Sequence, residues 1–128
     1  MIGLNDYWKG RDVTYPSDLT PEIRANAGDL LVRVNALLSL YGFPTTLNSG
    51  WRPKTVQMKV NPRAPNSKHV SGQAVDIGDV DGKLKNWCMA NLIQLERFGL
   101  YMEDPNSTPT WVHLQSVAPK SGRRVFKP

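Results

Sequence analysis

The chain holds two histidines among its 128 residues, and each stands in a segment built for chemistry. The first lies in Ser67-Lys68-His69-Val70-Ser71-Gly72-Gln73-Ala74-Val75-Asp76 and the second in Trp111-Val112-His113. Zinc takes imidazole nitrogen and carboxylate oxygen readily, and a catalytic zinc site supplies three protein ligands while leaving one position for water. His69, Asp76 and His113 together meet that need. On a strand, Ala74 and Asp76 share one face while Val75 takes the other, and the same alternation puts Trp111 and His113 together. The small Ala74 leaves room beside Asp76. Gly72 lets the chain turn sharply after His69, so that a ligand before the turn and one on the strand can converge. Taken singly these signals are weak, because a lone histidine is more often a surface or satisfied core residue and a strand aspartate more often pairs with a cation.

The elements that must position these residues can be read from the hydrophobic pattern. Thr20-Pro21-Glu22 opens a helix: threonine caps, proline is tolerated at the first helical position, and glutamate favours the positive end. Ile23, Ala27, Leu30, Leu31, Val34, Leu37, Leu38 and Tyr41 follow at helical spacing, and Gly42 and Pro44 end the helix. Thr45 to Trp51 reads as a short strand leading to Arg52-Pro53, and Lys54 to Lys68 as a loop with room for one helical turn. Gln73 to Ile77 is a strand. After Gly78 to Gly82 a second helix is expected to run to about Phe98, with Leu84, Trp87, Cys88, Leu92 and Leu95 on its core face. Leu100 to Glu103 and Trp111 to Gln115 form a hairpin around a broad polar loop, which returns Glu103 towards His113. Residues 1–19 read as an irregular arm able to pack on the domain, and the tail from Ser116 as basic and weakly patterned. The whole is expected to be one domain over residues 1–128.

Composition removes several classes of function. With 40% hydrophobic residues and no long apolar run, the chain has no candidate for a membrane-spanning helix. The opening MIGLNDYWKGRD lacks the apolar stretch of a secretory signal, so a cytoplasmic product is expected. Cys88 is the one cysteine and falls in an apolar helical pattern, which makes it a buried structural thiol. A net charge of +5 favours an anionic partner, but the basic residues are scattered and no nucleic-acid-binding motif is present.

The pattern Ser67-x-His69-x-x-Gly72-x-Ala74-x-Asp76, preceded by Ser49-Gly50-Trp51-Arg52 and followed by Trp111-x-His113, resembles the M15 peptidases, the family of zinc D-Ala-D-Ala carboxypeptidases and phage endolysins. The resemblance spans about residues 45 to 115. It implies an α+β fold of the DD-peptidase/Hedgehog-like kind, with a small antiparallel sheet that carries the zinc and packs against helices. It implies Zn2+ as cofactor with His69, Asp76 and His113 as its ligands, and Arg52 as the residue that contacts substrate or steadies developing negative charge.

One position departs from the family. Amide hydrolysis at zinc needs a carboxylate to take a proton from water and return it to the leaving amine. Many members place that acid three residues before the last histidine, where this chain has Thr110. Glu103 is the expected replacement, in preference to Asp104, which precedes Pro105 and reads as a turn former. Ser67 is expected to orient His69 or touch substrate, and Trp111 to wall the cleft. The function implied is hydrolysis of the peptide stem of bacterial peptidoglycan by a monomeric phage endolysin, held in the host cytoplasm until release or carried by the virion. The alternatives are a cytoplasmic dipeptidase, an inactive module that binds cell wall or virion protein, and a nucleic-acid binder.

Overall fold

A computed structural model describes residues 1–128. Its elements run α1 (Leu4–Trp8), α2 (Arg11–Thr14), a 3-10 turn (Pro16–Asp18), α3 (Pro21–Tyr41), β1 (Leu47–Ser49), α4 (Lys54–Val60), β2 (Ala74–Gly78), α5 (Lys83–Ala90), α6 (Leu92–Arg97), β3 (Tyr101–Glu103), β4 (Trp111–Gln115) and β5 (Val125–Phe126). The five strands form one sheet in the order β1-β2-β4-β3-β5. The expected α+β architecture, a small sheet against helices, is what the chain adopts. Its first four strands pair antiparallel, and β5 adds a parallel pairing along the outer edge of β3.

The long helix α3 begins and ends where its sequence says it must. The Thr20 side chain accepts a hydrogen bond from the Ile23 amide at 3.2 Å, and Gly42 takes the left-handed conformation at the other end. Ala27, Leu30, Leu31, Val34, Leu37 and Tyr41 are buried along one face. They meet Val75, Ile77, Val112, Leu114 and Met102 from the sheet in one core. Truncating one of the buried leucines to alanine is worth roughly 2–5 kcal/mol. With Val75 and Ile77 turned to this core, the period of two turns Ala74 and Asp76 to the opposite face, which carries the site.

Several elements depart from the sequence reading. Residues 1–19 are not an irregular arm: they fold into α1, α2 and the 3-10 turn, and they bury Tyr7, Trp8 and Leu19 in the core. The Tyr7 hydroxyl donates to the Ala74 carbonyl at 2.7 Å, and the Trp51 amide donates to the Tyr7 carbonyl at 3.1 Å. The segment after Arg52-Pro53 is a two-turn helix, α4, rather than a loop. The expected helix from Gly82 to Phe98 divides at Asn91, whose side-chain amide donates to the Trp87 carbonyl and whose backbone leaves the helical region. Trp87 packs against the core with its ring edge-on to Tyr41, and Cys88 is buried, its thiol pushed up to about 12 by loss of solvent. No helix is long and apolar enough to cross a membrane.

Candidate metal centre

Asp76 and His113 are direct cross-strand partners in the antiparallel pair β2–β4. Their side chains meet, with Asp76 Oδ1 2.9 Å from His113 Nδ1. His69 arrives from outside the sheet, in the turn that Gly72 closes with φ 76°. A Cβ at Gly72 would press on the Ile23 carbonyl at 2.9 Å, so the turn and its seat on α3 both require glycine. His69 Nε2 then lies 3.2 Å from Asp76 Oδ2. One ligand atom from each of the three residues falls within 4.8 Å of the others. Three bonds of ~2.0–2.1 Å to one tetrahedral zinc would separate their ligand atoms by ~3.3 Å, which this spacing accommodates.

The chemistry of the donor set fits a cation. His69 Nδ1 is 2.8 Å from the Gly50 carbonyl oxygen, which can only accept, so Nδ1 carries the hydrogen and Nε2 offers a lone pair. Burial lowers the His69 pKa, against the opposing pull of Asp76, and so favours this neutral form. A lone pair on Nε2 therefore faces a carboxylate oxygen at 3.2 Å, an arrangement that a shared positive ion resolves. Burial also works against the Asp76 charge, but the hydrogen bond from His113 leads the opposing causes, and the net effect holds this carboxyl well below the usual range. His113 is pushed down by burial and more strongly up by its hydrogen bond to Asp76, the Asp76 charge, Gln115 and Glu103, for a net rise.

Arg52 forms an ion pair with Asp76, Nη2 to Oδ2 at 3.2 Å. Its Nε donates to Ser49 Oγ at 2.9 Å and its Nη1 to Gln57 Oε1 at 3.1 Å. Gln57 is buried in α4 and donates in turn to the Ala64 carbonyl at 2.9 Å. The guanidinium has five N–H groups; these three contacts occupy three of them, which leaves two for a further acceptor.

These residues lie in an open cleft of about 470 Å³. Arg52, Ser67, His69, Asp76, Glu103 and His113 all line it, as does Trp111. The register Tyr101↔Gln115 and Met102↔Leu114 carries Glu103 to the level of His113. Burial raises the Glu103 pKa, with Asp76 and Asp104 adding to the rise and His113 opposing it. Asp104 instead closes a turn: its Oδ1 accepts from the Asn106 amide at 3.0 Å. Thr110 is exposed, and its carbonyl accepts from the Asp79 amide. Ser67 Oγ accepts from the His69 amide at 3.3 Å, which ties it to the shape of the His69 turn.

Four features of the site escaped the sequence reading. The Gly50 carbonyl and the side chain of Gln115, each bound to the far nitrogen of one histidine, are the first two. Gln57 and Phe126 are the others, the latter edge-on to the His113 ring at 6.2 Å. A signal existed for Gln115, which extends the alternation Trp111, His113, Gln115 along one strand face. None existed for a backbone carbonyl.

A family model described as Peptidase M15 matches residues 11–115. No curated protein matches the chain significantly, and no solved structure does.

Proposed function

The chain belongs to the M15 peptidase family, and on that premise we propose that it is a zinc-dependent peptidase that cleaves the peptide stem of bacterial peptidoglycan. The observation that carries this reading is the convergence of His69, Asp76 and His113 in one cleft with Glu103 and Arg52. In this reading the first three hold zinc, which supplies Lewis-acid polarisation of a carbonyl and acidification of water. Glu103 takes the proton of the attacking water and gives it to the leaving amine, a role helped by a pKa raised towards neutrality. Arg52 holds Asp76 in place and turns its two remaining N–H groups to the oxygen on which negative charge develops. Ser67 shapes the His69 turn, and Trp111 forms a wall against which the stem lies.

The net charge of +5 suits an anionic cell wall. The role we assign is that of a phage endolysin acting as a monomer on an L-Ala-D-Glu or a D-Ala-containing bond, after release from the host cytoplasm or from the virion. The test is digestion of purified murein with and without a zinc chelator, with the soluble fragments read by mass spectrometry. Chelator-sensitive fragments are expected, and their masses identify the bond. A folded, zinc-loaded protein that binds murein and releases nothing would replace this reading with that of a wall-binding module.

A further inference from the structure

Each histidine of the site is gripped on the nitrogen that faces away from Asp76. For His69 the grip is the Gly50 carbonyl, and for His113 it is Gln115 Oε1, 2.9 Å from Nε2. Gln115 stands two residues beyond His113 on β4, on the same face, and is only 5% exposed. Its amide has one sensible orientation. The Gln115 Nε2 donates to the Val117 carbonyl at 2.8 Å, whereas the flipped amide would set an oxygen against that carbonyl. An amide oxygen only accepts, so His113 Nε2 must carry a hydrogen. That leaves Nδ1, 2.9 Å from Asp76 Oδ1, as the atom able to offer a lone pair to a cation.

We propose that Gln115 is the positioning residue of the metal centre: by holding His113 Nε2–H it fixes the ring's tautomer and orientation and dictates coordination through Nδ1. The inference rests on His69, Asp76 and His113 being the zinc ligands. The Val117 carbonyl belongs to the same device, because it decides which end of the Gln115 amide meets the ring. The loop that follows β4 thus acts on the site through Gln115. A partner of this kind commonly tunes ligand basicity as well as direction.

The experiment has two arms. In the first, the unsubstituted protein labelled with 15N is titrated with zinc, and the imidazole nitrogens are followed by long-range 1H–15N correlation. His113 is expected to keep a proton on Nε2 while Nδ1 takes the shift of metal coordination. In the second, zinc affinity is measured by competition with a chromophoric chelator. Gln115→Leu, which removes the acceptor, is expected to weaken binding about 10- to 100-fold, and Gln115→Glu, which keeps one, to bind more tightly than Gln115→Leu. Coordination of zinc through His113 Nε2, or an unchanged affinity in Gln115→Leu, overturns the inference and leaves the zinc site standing. Failure of the unsubstituted protein to bind zinc removes the zinc site and this inference with it.

Discussion

Asp76 contacts Arg52, His69 and His113 at once, and its contact with Arg52 is the one that makes it structural as well as chemical. Asp76 Oδ2 accepts from Arg52 Nη2 at 3.2 Å while both side chains are nearly buried, 12% and 13% exposed. Removing the carboxylate leaves the guanidinium without its counter-charge. Asp76→Ala is therefore expected to lose zinc binding and also to destabilise the protein by about 3 kcal/mol, read by urea denaturation in the presence of chelator. Stability equal to that of the chelated parent would show that the pair contributes nothing to the fold.

Zinc binding should release protons in a predictable range. The His113 pKa is raised in the metal-free protein, chiefly because the pull of Asp76 exceeds the effect of burial. A cation entering beside Nδ1 must displace that proton, so affinity rises with pH through the range above 6.5 and weakens below it. Titration calorimetry in buffers of different ionisation enthalpy is expected to show net proton release at pH 6.5. A buffer-independent heat would contradict the protonated His113.

The same shifts set the stability of the chelated protein. A histidine with a raised folded pKa contributes stability that is complete below its unfolded value and is lost as pH climbs through the folded one, which is the case of His113. His69, with a lowered folded pKa, contributes stability present above 6.5 and lost as pH falls. These two residues therefore set a maximum near pH 6.5 in chelator. Thermal unfolding across pH 5 to 9 checks this, and the maximum is expected to flatten in His113→Ala.

Glu103→Gln separates chemistry from metal binding. If Glu103 moves the proton, the amide variant should lose about 10²–10⁴-fold in kcat/KM on a murein fragment and keep parental zinc affinity. Glu103 must be ionised to accept a proton, and burial raises its pKa, so activity should fall as pH is lowered through a value above the ordinary 4.5. That acidic limb is absent from the residual activity of Glu103→Gln. An unchanged rate would remove Glu103 from the mechanism.

Much of the candidate site was legible in the sequence because two of its three converging residues, Asp76 and His113, ride on regular strands. The period of two on β2 and β4 puts Asp76 opposite His113, and one glycine turn delivers His69. What was not legible depends on contacts that exist only once the chain has folded. Helix α4 has prolines on both sides and its apolar residues, Val56, Met58 and Val60, fall at every second position rather than at helical spacing, and its buried Gln57 gains its partners, Arg52 and the Ala64 carbonyl, only in the folded chain. The two short helices near the start have too few residues to show a period, yet Tyr7 is fully buried and bound to Ala74. Strand β5 has two residues and is defined by its pairing with β3 rather than by pattern.

Gly50 joins these remote contacts to the metal centre, and its substitution tests the connection. A Cβ there would overlap the Tyr7 carbonyl, a backbone atom that cannot swing away. The same residue's own carbonyl holds His69 Nδ1 at 2.8 Å. Gly50→Ala must therefore push α1 and the Ser49–Trp51 segment apart, at a cost of about 2–3 kcal/mol for overpacking, and carry the Gly50 oxygen out of line with His69. Zinc affinity is expected to fall with stability. Gly28→Ala is the matched control: Gly28 lies within α3, has nothing within 4 Å of an added Cβ, and should gain about 0.5–1 kcal/mol from its alanine. Chelator competition and denaturant melts on both variants decide the matter. If Gly50→Ala melts earlier but binds zinc as tightly as the parent, the Gly50 carbonyl is not what orients His69.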